Sequence, residues 1–242
     1  MTRTTATARR VLQQLGHDRR SIVLILALPS LLLWLFRYVL DASPQTYERV
    51  GPQMLGIFPF VIMFLVTSVT MVRERTSGTL ERLLTTPLRR GELILGYGLA
   101  FGAAAVVQAL VTSGVAVWLL GLDVSTPWAV VVFAVTDAVL GTALGLLMSA
   151  FAVTEFQAVQ FMPLVVIPQL LLCGLLAPRD SMPDVLYWVS NALPLSYAAD
   201  AFDDLRRAGG FSDHLAADLA VLVGCCVVAL AGAALTLRRR TP

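Results

Sequence analysis

The sequence predicts an all-α integral membrane protein with six transmembrane helices, and three observations predict it. Of 242 residues, 57% are hydrophobic and only 14% charged, whereas soluble domains carry roughly a quarter charged residues. The apolar residues fall in six blocks near the length of about 20 residues needed to cross a bilayer, and two stretches, 50–72 and 156–178, carry no charge at all. The arginines collect at alternate junctions between the blocks, as orientation in a membrane demands.

Residues 7–20 come first. Val11, Leu12 and Leu15 share one helical face flanked by Arg9, Arg10, Arg19 and Arg20, the pattern of a helix lying in the membrane interface; a mobile basic tail is the alternative. The first span, 21–40, loses its uncharged core at Phe36, so Arg37 must snorkel to a surface. Arginines before this run and Ala42-Ser43 after it also fit a secretory signal, but the multispanning context makes cleavage unnecessary, and the segment reads as an uncleaved span. The second span covers 53–72. The third, 93–121, is longer than needed and therefore tilted or extended beyond the bilayer. The fourth, 128–151, is interrupted by Asp137, and 158–177 and 219–237 complete the set. The whole chain, 1–242, reads as one transmembrane domain, with polar segments at 73–92 and 178–215.

With the N-terminus inside, thirteen of the eighteen arginines lie on cytoplasmic segments. An even number of spans with both ends inside satisfies the positive-inside rule. The chain has no lysine. A P-loop requires one at the β/γ-phosphates, so any ATP-driven work must be powered by another subunit. No basic tract is long enough to imply nucleic acid. Cys173, Cys225 and Cys226 all lie within apolar blocks, where thiols behave as small hydrophobes. The alanine-rich, all-arginine composition points to a bacterial cytoplasmic membrane.

The segment after the second span is too polar for the membrane and too patterned for a slack loop. Leu80, Leu83, Leu84 and Leu88 form an apolar stripe if it is helical, with a break at Gly78 and a stop set by Pro87. Such a helix could pack on a partner through its leucines and exchange hydrogen bonds through Glu74, Arg75, Glu81 and Arg82. It could equally lie on lipid headgroups.

The run Arg73-Glu74-Arg75, Gly78-Thr79-Leu80-Glu81-Arg82-Leu83-Leu84 and Thr86-Pro87 resembles the first cytoplasmic loop of type-2 ATP-binding-cassette exporter permeases. Pro178, Met182-Pro183, Leu186, Trp188, Ser190 and Pro194-Leu195-Ser196-Tyr197 with Ala201 resemble that family's external segment. Together with the six spans, the resemblance covers essentially the whole chain. It implies that 73–92 forms a cytoplasmic coupling helix docking on a nucleotide-binding ATPase subunit, with Glu74, Arg75, Gly78, Thr79, Leu80, Glu81, Arg82 and Leu83 in the coupling element. It also implies external re-entrant helices within 178–215. By the same resemblance two permease subunits, as homodimer or heterodimer, work with two ATPase subunits that bind ATP and Mg, with no cofactor in this chain. The cargo would be a hydrophobic or amphipathic drug, antibiotic or lipid. The short outer loop 41–52 departs from relatives with large external insertions.

Within the membrane, Asp137 is a functional candidate because charge at the bilayer centre is costly. Gln108 and Asp137 are equidistant from the turn between spans three and four. A buried Asp137–Gln108 hydrogen bond fixing that hairpin is one reading; a proton or cation site is the other. Gly98-x-x-x-Gly102 and Gly141-x-x-x-Gly145 predict close packing of spans three and four. That leaves the substrate path to span two (Phe60, Phe64, Thr67) and span five (Gln157, Gln160, Phe161). Asp200-x-x-Asp203-Asp204 resembles the metal-binding acids of membrane prenyl transferases only as a single cluster. The two histidines, His17 and His214, fall on opposite sides of the bilayer, so a histidine-based metal centre gains no support. The rival functions are a proton-coupled secondary transporter using Asp137 and a membrane-embedded transferase.

Overall fold

The computed structural model describes residues 3–78, 90–122, 126–208 and 212–236. Among these there is no strand, and nine α-helices follow in order. Six are long and apolar enough to cross a membrane, and the chain is a multi-pass membrane protein. A short helix α1 (Arg3–His17) precedes α2 (Arg19–Val39) and α3 (Pro44–Thr76). Helix α4 (Arg90–Gly114) continues into a π-turn (Val115–Leu119), and α5 (Pro127–Ser149) and α6 (Glu155–Leu172) follow. A 3-10 turn (Arg179–Ser181), α7 (Asp184–Asn191) and α8 (Pro194–Ala208) lead into α9 (Asp213–Thr236).

Each predicted span overlaps one of the six spanning helices, but the bounds differ: the fifth spanning helix ends at Leu172 instead of 177, the sixth begins at Asp213 instead of 219, and the second differs most. Pro44 supplies a preset first turn, and the helix runs through the polar residues 44–52 without a break. Pro52 and Pro59 are carried inside it. The outer loop expected at 41–52 is therefore only a turn at 40–43, and α3 is long enough to project beyond a bilayer at either end.

Burial grades the spans, with the third, Gly91–Leu119, intermediate at 44%. In α3 and α5, 72% and 61% of the apolar window is buried, against 17% in α2 and α6 and 22% in α9. The core of the bundle is thus the α3–α5 pair. Its contact is made by glycines: a Cβ at Gly141 would lie 2.3 Å from the Phe60 carbonyl oxygen, and one at Gly145 would lie 2.6 Å from that of Phe64. Small residues at this spacing let two backbones touch. The expected partner was span three. Instead Gly98 meets Leu230 of α9 first, at 3.3 Å, and only the tip of Leu146 of α5, at 3.9 Å, and an added Cβ at Gly102 meets nothing within 4 Å. Spacing identifies a small-residue face but not which neighbour occupies it.

The α1 face also differs from expectation. Thr7, Ala8 and Val11 are buried, whereas Leu12 is 39% exposed. Thr7 packs on Gly96 of α4, where a Cβ would lie 2.7 Å from the threonine Cβ. The helix is docked on protein along one stripe. Asp18, which follows α1, accepts from the Arg20 and Ser21 amides and from the Ser21 hydroxyl, capping α2. That hydrogen bonding holds the Asp18 carboxyl below its ordinary pKa.

The two ends of the bundle are chemically unlike. Arg10, Arg73 and Arg75 gather at one end. The four tryptophans lie toward the other, with Trp118, Trp128 and Trp188 at 89%, 57% and 72% exposure. Exposed indoles at one level are what a membrane–water interface selects.

Candidate functional site

The basic end is organised by three consecutive residues in the last turns of α3. Arg73 forms a fork with Glu155, both N···O distances being 2.9 Å, and so ties α3 to the start of α6. The acid sits at a helix N-terminus, where the backbone dipole favours it. Arg75 donates to the Ser149 carbonyl at 2.5 Å and the Ala152 carbonyl at 3.3 Å. Carbonyls at the end of a helix lack intrahelical partners, so a guanidinium there satisfies groups that must be satisfied. Glu74 points the third way, accepting from the Tyr97 hydroxyl of α4 at 2.5 Å and from Arg10 of α1 at 3.2 Å. Arg10 also donates to that hydroxyl at 2.8 Å. Tyr97 is fully buried and the Glu74 side chain only 12% exposed, while Arg10, 30% exposed, is the member that reaches water. Hydrogen bonds to charged groups are worth about 1.5–3 kcal/mol in such settings.

The end of α3 is therefore fastened to α1, α4, α5 and α6 at once. Gly78 follows at φ +73°, a left-handed conformation that suits glycine and turns the chain out of the helix. Thr79, Leu80, Glu81, Arg82 and Leu83 lie outside the described residues, so of the sequence-predicted coupling set the structure places Glu74, Arg75 and Gly78.

Inside the bundle, Phe60, Phe64 and Thr67 are all fully buried, pressed into the α3–α5 contact. They line no open face of a single chain. Gln157 and Gln160 are exposed on α6 and Phe161 is half-buried. Gln157 accepts from the Val153 amide while Thr154 accepts from the Gln157 amide, a reciprocal helix-start cap. Gln108 and Asp137 are both fully buried, but they are not hydrogen-bonded to each other, and neither side chain finds a partner among the described residues. Asp137 faces α3 instead: a Cβ at Gly56 would lie 2.9 Å from its Oδ2, beside the Phe202 ring. Equal distance along a hairpin sets depth, not rotation about the helix axis.

The opposite end carries a polar cavity of about 420 Å³ between α3, α8 and the start of α9. Arg179 organises it. Its guanidinium donates to Asn191 and Asp200 and, at 3.1 Å, to the Ser190 hydroxyl, and it lies over the Tyr187 ring at 5.7 Å. Burial raises the Asp200 carboxyl above its ordinary pKa, and Arg179 pulls it back part of the way. Gln169 reaches in from α6 to accept from the Leu195 amide at 3.3 Å. The acids of the 200–204 cluster thus have separate partners. Asp203 pairs with Arg206 and Arg207, while Asp204 meets His214 at 2.9 Å. Sequence reading placed His214 with no ligating company; the packing of α8 beside the start of α9 brings Asp204 to it.

The fold and these two ends define a multi-pass helical membrane protein, with a fastened loop base at one end and a polar cavity at the other. The profile of the ABC-2 type transporter family matches residues 2–205, and the chain belongs to that family. It is 30% identical over 170 residues to ABC transporter G family member 20 of Dictyostelium discoideum, covering 70% of this chain and 23% of the relative. It is 27% identical over 206 residues to the probable multidrug ABC transporter permease YbhS of Escherichia coli K12, covering 84% and 55% respectively. The linearmycin resistance permease protein LnrN of Bacillus subtilis is 27% identical over 197 residues, covering 81% and 48%. The chain therefore spans about half the length of the bacterial relatives and a quarter of the slime-mould one.

Proposed function

We propose that this chain is the permease subunit of an ATP-driven exporter, with its basic end in the cytoplasm. A separate ATPase subunit binds ATP and Mg and docks on the loop that leaves α3 at Gly78. The observation that carries the reading is the base of that loop. A push delivered there cannot be absorbed by a slack end, because Arg73, Glu74 and Arg75 pass it to α6, to α1 with α4, and to α5. The α3–α5 contact, backbone against backbone, then moves as one body, as packed interfaces do.

Two permease subunits and two ATPases complete the assembly in this proposal. The burial of Phe60, Phe64 and Thr67 shifts the path from the interior of one chain to a seam between two. The weakly buried α6, with exposed Gln157, Gln160, Phe156 and Leu164, supplies this chain's side of it. The multidrug and linearmycin-resistance names of the relatives support a hydrophobic or amphipathic cargo. No bond chemistry is assigned to the chain itself.

Copurification with an ATPase subunit tests the proposal, together with Glu81→Arg, which is expected to leave ATP hydrolysis running while transport falls. Transport that proceeds without ATP and without an associated ATPase would overturn it. A proton-coupled carrier using Asp137 would instead lose all transport in Asp137→Asn.

A further inference from the structure

Three potential metal ligands converge at the mouth of the outer cavity. His214 and Asp218 stand one turn apart on the same face of α9, and Asp204 approaches from α8. Their ligand atoms lie within 4.8 Å of one another, with His214 Nδ1 2.9 Å from Asp204 Oδ2 and 3.3 Å from Asp218 Oδ2. Atoms bound at about 2.0–2.2 Å in a tetrahedral zinc site sit some 3.3–3.6 Å apart, so the cluster needs only small rotamer shifts to close on an ion.

The second observation is Asp218 itself. Its side chain is only 6% exposed, it lines the cavity, and its Oδ2 makes no hydrogen bond among the described residues, with only the His214 ring nitrogen facing it at 3.3 Å. A buried carboxylate oxygen with no hydrogen bond is costly, and a cation shared with the facing imidazole is one means of offsetting that cost. The neighbouring acids are already neutralised by arginine: Asp200 by Arg179, Asp203 by Arg206 and Arg207. Asp204 and Asp218 have only His214 as an ion-pair partner among the described residues. Two carboxylates balance one divalent charge.

We propose that Asp204, His214 and Asp218 bind one divalent transition-metal ion of the zinc class, clamping α8 to the start of the last span. One imidazole with two carboxylates favours such an ion over calcium or magnesium, which take six or more oxygens. His214, 66% exposed, is the side open to solvent, and leaves coordination positions for water. The clamp lies at the end of the bundle away from the Glu74 triad. It is independent of the transport direction proposed above.

The test is a Co2+ titration of the tag-free, chelator-treated full chain in detergent, read by visible d–d absorption. The expected result is saturation at one ion per chain and displacement by Zn2+ but not by Ca2+ or Mg2+. Affinity should fall about tenfold or more in His214→Gln and in Asp218→Asn, and stay unchanged in His17→Ala. His214 is exposed, so His214→Gln carries the test even if Asp218→Asn fails to fold. No saturable band, equal binding by His214→Gln and the parent, or equal displacement by Ca2+ would each overturn the site.

Discussion

Replacing Gly141 by alanine adds one methyl group where two helix backbones touch. The new Cβ would lie 2.3 Å from the Phe60 carbonyl oxygen and 3.0 Å from that residue's carbonyl carbon and Cα. A comfortable carbon–oxygen approach needs about 3.3 Å, so α3 and α5 must part by roughly 1 Å. The atoms struck are backbone and cannot rotate aside, and overpacking of this kind costs about 1–3 kcal/mol. Helix propensity works the other way, since alanine is favoured over glycine by about 1 kcal/mol or less. Gly102 and Gly224 provide the internal control, because an added Cβ meets nothing within 4 Å at either. Gly141→Ala should therefore melt several degrees below both Gly102→Ala and Gly224→Ala, at about 2–4 °C per kcal/mol for a chain of this size. The assay is thermal loss of the monodisperse peak in detergent. Trimming the ring with Phe60→Ala should not rescue the variant, because the clash is with the carbonyl. Equal melting of Gly141→Ala and Gly102→Ala would refute the α3–α5 contact as the core of the bundle.

Two further outcomes follow from the basic end. Glu74→Ala leaves Arg10 only the Tyr97 hydroxyl, so α1 should loosen by about 1–3 kcal/mol; an added cysteine at the buried Ala8 should then react faster with a polar maleimide than in the parent. Asp18→Ala should cost about 1 kcal/mol as a lost helix cap. Because the folded Asp18 carboxyl sits below its unfolded pKa, its stabilisation is full above the unfolded value and is lost as pH falls through the folded one. The gap in melting temperature between parent and Asp18→Ala should therefore be flat near neutrality and close in acid.

The single-chain features of this protein were legible because they depend on local composition. Block length and charge set six spans, since a hydrocarbon core accepts only long apolar helices, and the Arg73-Glu74-Arg75 run with Gly78 marked the base of the loop. The family resemblance rested on that run and on the segment from Pro178 to Ala201. The extension of α3 back to Pro44 escaped hydropathy because polar residues such as Glu48 and Arg49 cannot lie within hydrocarbon, although a helix may continue past it.

Only the tertiary structure decided which helix meets which. The glycine face of span four was visible, but Phe60 and Phe64 of α3, and not span three, proved to occupy it. Asp137 was visible, but it turned to Gly56 and away from Gln108. His214 had Asp218 one helical turn away in sequence, but it came to stand 2.9 Å from Asp204 only because α8 packs beside the start of α9. Hydropathy fixes a residue's depth along one helix axis. Rotation about that axis and the choice of neighbour are set by contacts among residues far apart in the chain, and those contacts form only when the bundle packs.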